Sequence, residues 1–178
     1  PPRPRATLPF PMNLVEDMTA LATAAKNAAR LMPRLNTDQK NLCLNTMADA
    51  VEAQAEAIQT ANALDMETAR EMKLSQSMMD RLLLNEQRIA GMAQGLREVA
   101  ELPDPVGRML AETERPSGLK LKKVACPIGV VVMIYESRPN VTADAAGLCF
   151  KSGNATILRG GKEALNSNQI IARLMVEA

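Results

Sequence analysis

Two short loops, each with an arginine, contain the residues of this chain that are best suited to bind a ligand or to take part in a reaction. They are YESRPN (residues 135–140) and RGGK (residues 159–162), and each follows an apolar run and precedes a helix-forming stretch. In open parallel sheets, ligands bind beyond the C-terminal ends of the strands, near helix N-termini that offer unpaired N–H groups and partial positive charge. The paired glycines of the second loop would let the backbone approach a ligand closely. Together the loops predict a site for a phosphate-bearing ligand.

Two familiar phosphate-binding loops are excluded at this place. A Walker A loop would need glycine at Thr156 and serine or threonine at Glu163. The dinucleotide fingerprint G-x-G-x-x-G occurs nowhere in the chain. Any phosphate site here therefore has another loop design. A plainer alternative stays open, in which the two glycines only turn the chain while Arg159 and Lys162 are solvated.

The composition restricts the class of protein. With 178 residues the chain is long enough for one domain with a core, and a second small lobe is allowed. The formal net charge is +1, and the basic residues are scattered among acidic ones, which disfavours a nucleic acid as partner. No apolar run reaches the length of a membrane span, so we expect no membrane partner either.

Histidine and cysteine usage narrows the chemistry further. The chain has no His, which removes the commonest general base and metal ligand. Its three cysteines, Cys43, Cys126 and Cys149, lie far apart, and no pair has the spacing of a zinc site, so we expect no metal. An odd cysteine count without a secretion signal argues against a disulfide framework and favours a cytoplasmic location.

The elements that would hold the two loops begin with a helical region over residues 13–105. Sequences typical of a capping box begin the first two helices: Asn13 with Glu16, and Asn36 with Gln39. The second helix should turn one apolar stripe inward: Leu42, Met47, Val51, Ala55 and Ile58. Shorter helices are expected at 62–72 and 77–84. A longer one at 86–101 should bury Ile89, Met92, Ala93, Leu96 and Val99.

After this region the period of the apolar residues changes. Residues 106–126 predict a β-hairpin around the turn sequence RPSG, with one polar face. The next apolar run, VVVMIY, predicts a strand buried on both faces, as in a parallel sheet. A helix at 141–151, the strand ATIL and a helix at 162–178 follow. Residues 127–178 thus form βαβα, the start of a doubly wound parallel sheet, and the fold class is α/β.

The predicted sheet is incomplete, because two parallel strands would keep unpaired edges of apolar sequence. Either other chains cover these edges or the chain is the first part of a longer protein. We expect the second, because the sequence stops inside a helix without a stop signal. Residues 1–12, rich in Pro and Arg, are interpreted as a disordered leader, a linker remnant or sequence upstream of a start at Met12.

One long stretch resembles the γ-glutamyl phosphate reductase family, also called glutamate-5-semialdehyde dehydrogenases: residues 127–168, PIGVVVMIYESRPNVTADAAGLCFKSGNATILRGGKEALNSN. The helical region and LPDPVGR resemble the same family, so the similarity covers about residues 13–178, the N-terminal part of a complete enzyme. The family belongs to the aldehyde dehydrogenase superfamily, whose variant Rossmann domain lacks the glycine fingerprint. The resemblance implies NADPH-dependent reduction of L-glutamyl 5-phosphate to L-glutamate 5-semialdehyde with release of phosphate, the second step of proline biosynthesis from glutamate.

The resemblance also gives the second loop a role in cofactor choice. In NAD-preferring aldehyde dehydrogenases the corresponding strand ends in a lysine, and a glutamate three residues later holds the adenosine ribose hydroxyls. Here these places are Arg159 and Lys162, with Gly160 and Gly161 between them. Two cations attract a 2′-phosphate that a carboxylate would repel, so the resemblance predicts that these four residues bind NADPH.

The first loop corresponds to one that runs beside the nicotinamide in the superfamily and supplies an asparagine amide to the oxyanion hole. The resemblance makes Asn140 the candidate for that amide, with Ser137, Arg138 and Pro139 along the cofactor path. Two alternatives stay open. Asn140 could instead cap the helix that starts near Val141. Arg138 could instead pair with the anionic substrate.

Catalysis in the family uses a cysteine thiolate that attacks the acyl phosphate and gives a thioester, which hydride from NADPH reduces. The resemblance implies that this cysteine lies beyond residue 178, and we expect Cys43 and Cys149 to be small buried residues and Cys126 to lie far from the loops. The polypeptide by itself should therefore be inactive.

The resemblance implies partners as well. The hairpin is similar to the superfamily's oligomerisation strands, which predicts a homo-oligomer, and a functional association with glutamate 5-kinase is expected. Two other interpretations remain. The chain could be the reductase part of a bifunctional pyrroline-5-carboxylate synthase, with the kinase before Pro1. It could also be a non-catalytic nucleotide-binding or interaction module.

Overall fold

The computed structural model describes residues 13–178, and the leader predicted at residues 1–12 lies outside them. The helices are α1 (Leu14–Leu31), α2 (Thr37–Ala53), α3 (Ala55–Glu71), α4 (Gln76–Leu82), α5 (Glu86–Glu101), α6 (Asn140–Lys151) and α7 (Leu165–Glu177). The strands are β1 (Met109–Glu114), β2 (Lys120–Val124), β3 (Val130–Ile134) and β4 (Ala155–Arg159). No helix among residues 13–178 has both the length and the apolar character needed to cross a bilayer.

Polar side chains begin the N-terminal helices where the sequence predicts it. The Asn13 side chain accepts a hydrogen bond from the Glu16 N–H at the start of α1. Asn36 and Gln39 form both bonds of a capping box at the start of α2, with N–O distances of 2.8 and 3.0 Å. These contacts satisfy N–H groups that a helix leaves without intrahelical partners. The two predicted starts are confirmed.

The stripe predicted for the second helix is right for four of its five residues, because Val51 and Ile58 are buried and Met47 and Ala55 pack against the core. The fifth residue, Leu42, is exposed, and the helix itself is divided in two. The backbone leaves helical geometry at Gln54, with φ −109° and ψ 23°, so that α2 ends there and α3 begins directly after it. Leu42 is 69% exposed. The buried face of α2 consists of Lys40, Leu44, Ala48 and Val51. The residues around Gln54 are good helix formers, and the sequence therefore carried no sign of the break.

The other helices lie close to their predicted positions. The helices predicted at 62–72 and 77–84 are α3, which begins seven residues earlier at Ala55, and α4, which ends at Leu82. The prediction at 86–101 matches α5, although Val99 is only half-buried and Ala100 completes the buried face. The main core lies between α2, α5, α6 and α7, with members of each helix such as Leu44, Leu96, Ala143 and Ile171.

A buried ion pair joins the helical region to the loop before the hairpin. Lys40 Nζ lies 2.8 Å from Asp104 Oδ2, and the Asp104 carboxylate also accepts hydrogen bonds from Thr37 Oγ1 and the Val106 N–H. Burial would raise the pKa of Asp104, but the bond from Lys40 and the other donors outweigh burial and lower it. This pair holds the LPDPVG segment against α2.

Strands β1 and β2 form the predicted hairpin, and both are exposed along their whole length. They pair in antiparallel fashion, with Glu112 opposite Lys122, and the pairing shifts between Met109 and Ala111. The RPSG turn closes the hairpin with Gly118 at φ +81°, in the left-handed region that favours glycine. Apolar side chains such as Leu119 and Leu121 are therefore on the surface of this chain.

Strands β3 and β4 form a two-stranded parallel sheet with α6 as the crossover. The register runs from Val130 opposite Ala155 to Ile134 opposite Arg159. The expectation that β3 is buried on both faces is wrong within residues 13–178, because Val132 is 60% and Ile134 is 71% exposed. The parallel order βαβα is as predicted, and the sheet has only these two strands in the described part of the chain.

Candidate functional site

The two loops singled out in the sequence lie next to each other at one edge of the parallel sheet. Ile134 and Arg159 are the last paired residues of their strands, and the Tyr135 N–H donates to the Arg159 carbonyl oxygen at 3.1 Å. Residues 135–140 and 159–162 therefore leave the sheet side by side. Their side chains differ in exposure, because Ser137, Pro139 and Gly161 are buried, Asn140 and Gly160 are half-buried, and Arg138, Arg159 and Lys162 are exposed.

A buried carboxylate connects the two loops. Glu163 Oε1 accepts hydrogen bonds from the Ser137 backbone N–H at 2.7 Å and from Ser137 Oγ at 3.0 Å. Only 7% of Glu163 and 3% of Ser137 is exposed. Ser137 has φ 44°, a left-handed conformation that is unusual for a residue with a side chain. The Glu163 carboxylate, which directly follows the second loop, thus holds the first loop in a strained conformation.

The charge of Glu163 is maintained despite its burial. Burial alone would raise the pKa of this carboxyl group. The hydrogen bonds from its own backbone N–H and from Ser137, together with the positive charge of Arg159, outweigh burial and hold the pKa below its usual value. The connection between the loops is therefore between a carboxylate and two donors at neutral pH.

Both glycines of the second loop lie directly against polar side chains of the protein. A Cβ atom at Gly161 would overlap the Glu163 carboxylate, and one at Gly160 would overlap the Asn168 amide. The role of the two glycines in admitting a ligand to the backbone stays a prediction. Their missing side chains make room for two polar side chains of the protein itself.

A second set of hydrogen bonds lies next to the loops. Thr142 Oγ1 lies 3.0 Å from Asn168 Oδ1, to which it donates, and 2.6 Å from the Tyr135 hydroxyl. Because the single hydroxyl hydrogen of Thr142 goes to Asn168, the Tyr135 hydroxyl donates to Thr142. Burial raises the pKa of Tyr135, which keeps its hydroxyl protonated, as donation to Thr142 requires. The end of β3, the first turn of α6 and α7 are joined in this way.

The N-terminus of α7 is occupied by a carboxylate of the protein. Asp65 of α3 is buried, and its two oxygens accept from the backbone N–H groups of Asn166 and Ser167 at 3.1 and 2.7 Å. The side chains of Asn166 and Ser167 donate to the same carboxylate. This corrects the expectation that the helix after the second loop offers unpaired N–H groups to a ligand. Arg159 and Lys162 of the second loop keep exposed, positively charged side chains at this edge.

Asn140 is the first residue of α6 and does not cap it. The helix has no side-chain cap, and Asn140 Nδ2 donates to Asp144 Oδ2 one turn later, at 3.0 Å. The alternative in which Asn140 caps this helix is therefore wrong. Arg138, Asn140 and Asp144 line one wall of a cleft of about 440 Å³ whose other wall comes from α4 and α5.

The three cysteines do not join this site. Cys149 is buried on α6, Cys43 is half-buried on α2, and Cys126 is exposed just before the N-terminal end of β3, opposite the loop edge. In residues 13–178 no three side chains of His, Cys, Asp or Glu gather in a way that could hold a metal ion.

Glu163, Asp65 and Asp144 are the residues of the site that sequence reasoning missed. A signal existed for Glu163, since it is the one acidic residue in ATILRGGKEALNSN and directly follows the basic loop. Asp65 lies 101 residues from Asn166, and only the fold brings the two together.

The chain is similar in sequence to γ-glutamyl phosphate reductases. No protein-family model matches it. The chain is 52% identical over 166 residues to γ-glutamyl phosphate reductase of Syntrophomonas wolfei, which covers 93% of this chain and 40% of that protein. It is 53% identical over 167 residues to the one of Clostridium novyi, covering 94% and 40%. The chain thus spans about 40% of the length of the curated relatives it matches.

Solved structures give the same family and a wider fold. The γ-glutamyl phosphate reductase of Thermotoga maritima superimposes with a TM-score of 0.86 at 38% identity, over 90% of this chain and 39% of that one. The NAD-dependent benzaldehyde dehydrogenase of Corynebacterium glutamicum has a TM-score of 0.71 at 20% identity, over 92% of this chain and 33% of that one, and this likeness shows the fold alone. The fold is that of the aldehyde dehydrogenases, with an incomplete sheet, and the chain belongs to the γ-glutamyl phosphate reductase family, whose N-terminal part it matches.

Proposed function

We propose that a full-length protein carrying this sequence reduces L-glutamyl 5-phosphate to L-glutamate 5-semialdehyde with NADPH and releases phosphate. One observation carries this proposal: residues 13–178, about half of them identical to those of named reductases, hold both sequence-predicted loops together at one sheet edge. In the superfamily fold, the C-terminal edge of the parallel strands is where cofactor and substrate meet. The proposed reaction would take place in the cytoplasm.

NADPH is proposed as the cofactor because of the charges at this edge. Arg159 and Lys162 are exposed and form no ion pair within residues 13–178, so both are available to an anion. The Glu163 carboxylate, next to Lys162 in the chain, is buried and accepts both donors of Ser137. A 2′-phosphate would therefore meet two cations, a fit that NADH would not exploit. When bound, the cofactor supplies the hydride.

The first loop would align the reacting carbonyl. Asn140 Nδ2 has two hydrogens, and its bond to Asp144 uses one, so the other can donate to a developing oxyanion. Ser137, Arg138 and Pro139 would lie along the cofactor path, with Ser137 held by Glu163. None of the three cysteines lies at the loops, and we propose that the attacking thiolate comes from another part of the complete protein.

A homo-oligomer formed through the hairpin is proposed as the assembly. Its strands are exposed on both faces and carry apolar side chains, as expected of a surface covered by a partner. Sedimentation of the full-length protein with and without residues 109–124 would test this, since loss of the hairpin should give smaller particles. A functional association with glutamate 5-kinase is proposed too, because an acyl phosphate is short-lived in water.

The proposed reaction can be tested in its reverse direction. The full-length protein, given L-glutamate 5-semialdehyde, phosphate and NADP⁺, should produce NADPH at a rate that depends on phosphate. Omission of phosphate is the control, because the acyl phosphate product cannot form without it. If NADPH formation needs no phosphate, the protein is an aldehyde dehydrogenase of another kind. If no aldehyde is oxidised under any condition, the proposed function is wrong.

A further inference from the structure

The cleft beside the first loop contains several charged side chains. It has a volume of about 440 Å³ and lies between α4 and α5 on one side and the start of α6 on the other. Five of its ten lining residues are charged: Asp80, Arg81, Arg88, Arg138 and Asp144. A cleft of this composition does not suit an apolar aldehyde, because the charged groups would lose water without gaining partners.

Two of these charges already satisfy each other. Arg88 donates to Asp80 Oδ1 at 3.0 Å and to the Leu83 carbonyl oxygen at 2.9 Å, and it also bonds the Asp80 carbonyl oxygen. Arg88 and Asp80 are therefore each other's ionic partners, in a pair whose side chains are 38% and 66% exposed.

The remaining charges have no ionic partner within residues 13–178. Arg81 and Arg138 are exposed and form no ion pair there. Asp144 is half-buried on α6, and its one side-chain bond is the one from Asn140 to Oδ2. Burial raises the pKa of Asp144, and the bond from Asn140 only partly opposes this, so a cationic ligand group beside it would stabilise the charged form.

Two arginines and one carboxylate at the same cleft match a zwitterion. A ligand carboxylate can be held by the planar guanidinium of Arg138 through two hydrogen bonds, with Arg81 adding positive charge. A ligand ammonium can be held by Asp144. A phosphate or a dicarboxylate would satisfy the arginines, but Asp144 would repel it. An α-amino acid group satisfies both signs.

We infer that this cleft binds the α-ammonium and α-carboxylate of the substrate, with Asp144 as partner of the ammonium and Arg138 as partner of the carboxylate. The inference rests on the proposed function, under which the substrate is an amino acid whose distal carbonyl reacts. Arg138 and Asn140 belong to the loop proposed to lie beside that carbonyl, and both line the cleft, so the cleft adjoins the proposed reacting end. Arg138 thereby serves the substrate with its side chain, while its backbone lines the cofactor path.

The contact between Asp144 and the ammonium can be tested with two substrates that differ in that group. The full-length protein is assayed with NADP⁺ and phosphate on L-glutamate 5-semialdehyde and on 5-oxopentanoate, which lacks the ammonium group. Asp144→Asn should lower kcat/KM for the amino substrate about tenfold, the loss expected for one charged hydrogen bond, and at least about fivefold more than for 5-oxopentanoate. Asp144→Glu keeps the charge and should retain most of the preference for the amino substrate.

The carboxylate contact is tested in the same way with 4-aminobutanal, which keeps the amine and lacks the carboxylate. Arg138→Gln should lower kcat/KM for the semialdehyde and for 5-oxopentanoate, both of which have the carboxylate, much more than for 4-aminobutanal. Matched controls are Asp49→Asn, whose carboxylate pairs with Arg97 on the surface of α2, and Arg173→Gln on the exposed side of α7. Both controls should leave the substrate preferences unchanged.

The possible failures differ from each other. Asp144→Asn could lower kcat/KM equally for substrates with and without the ammonium, or lower neither value. Either result would show that the cleft does not bind the α-ammonium and α-carboxylate. The activity of the unmodified protein would still leave the proposed function in place. If the unmodified protein oxidises none of the three aldehydes, the proposed function itself fails, and this inference fails with it.

Discussion

At the scale of single residues, Glu163 determines how the two loops meet. It accepts both donors of Ser137, and Gly161 leaves the space that its carboxylate occupies. Arg159 and Lys162, which the sequence did single out, lie on the outer side of the same turn. The site therefore divides into an outer pair of cations proposed for the cofactor and an inner carboxylate that sets the loop geometry.

Loss of the Glu163 carboxylate should destabilise the protein. Glu163→Ala leaves the buried Ser137 N–H without its acceptor, so we expect the free energy of unfolding to fall by about 1–3 kcal/mol. Glu163→Gln keeps an acceptor oxygen and should cost less. Urea unfolding followed by circular dichroism measures both. Equal stability of Glu163→Ala and the unmodified protein would contradict this role.

The charge of Glu163 should also appear in the pH dependence of stability. Its pKa in the folded protein is lowered, so its contribution is present at neutral pH and is lost as the pH falls below the ordinary value of about 4.3 through the folded-state pKa. Between about pH 6 and pH 3, Glu163→Gln should therefore lose less unfolding free energy than the unmodified protein. Parallel pH profiles for the two proteins would show that the carboxylate carries no such contribution.

The candidate site residues are recognisable in the sequence by their loops, but the residues that contact these loops are not. Arg159 and Lys162 stand out because a basic loop after an apolar strand has few structural uses. Asp65 and Asp144 look like ordinary helix-surface residues in the sequence, and only the packing of α3 against α7 and of α5 against α6 gives them a function. Local spacing cannot show such long-range contacts.

At the scale of elements, the position of α7 depends on a carboxylate from another helix. Asp65 receives the backbone N–H groups of Asn166 and Ser167 and both of their side chains. Through α7 and the turn before it, this contact sets the position of the second loop relative to α3. The arrangement takes the place of a local cap, which α7 does not have.

Removal of this contact should loosen the start of α7. Asp65→Ala leaves two helix N–H groups and a buried serine hydroxyl without acceptors, and we expect a loss of at least about 2 kcal/mol in unfolding free energy. Amide hydrogen exchange should accelerate first at residues 165–168. Glu67→Ala, an exposed change two positions away on α3, is the control. If exchange at these residues is the same in both variants, Asp65 does not hold α7.

The elements themselves were largely predictable from the sequence. Capping residues and apolar periodicity located α1, the start of α2 and α5, and the turn sequence located the hairpin. The break at Gln54 was not predictable, because a single departure in φ and ψ among helix-forming residues leaves no sequence mark. The exposure of Val132 and Ile134 was missed for a different reason, since burial of a strand depends on elements outside it.

At the scale of the whole molecule, the described chain holds one side of the proposed site. Residues 13–178 contain the loops, the cleft and the cations, but no cysteine at the loop edge. The parallel sheet has two strands with apolar residues exposed on one face, among them Val132 and Ile134. Both features agree with a match to about 40% of the length of the relatives.

The 178-residue polypeptide should therefore not oxidise L-glutamate 5-semialdehyde by itself. The reason is that no thiolate lies where it could attack a carbonyl at the loops. A spectrophotometric assay for NADPH with the purified polypeptide, phosphate and NADP⁺ checks this, with the full-length protein as positive control. Turnover by the polypeptide would contradict the proposal for the thiolate. A monodisperse, cooperatively folded polypeptide that binds NADPH would instead favour a separate nucleotide-binding module.

Arg159 and Lys162 are proposed to select NADPH through its 2′-phosphate, and the KM values of the full-length protein for NADPH and for NADH measure this selection. Lys162→Glu should raise the KM for NADPH at least about tenfold, the loss of one charged contact and the gain of a repulsive one, and should leave the KM for NADH nearly unchanged. Lys26→Glu, an exposed change on α1, should alter neither value. An equal rise of the KM for both cofactors would show that Arg159 and Lys162 do not select NADPH.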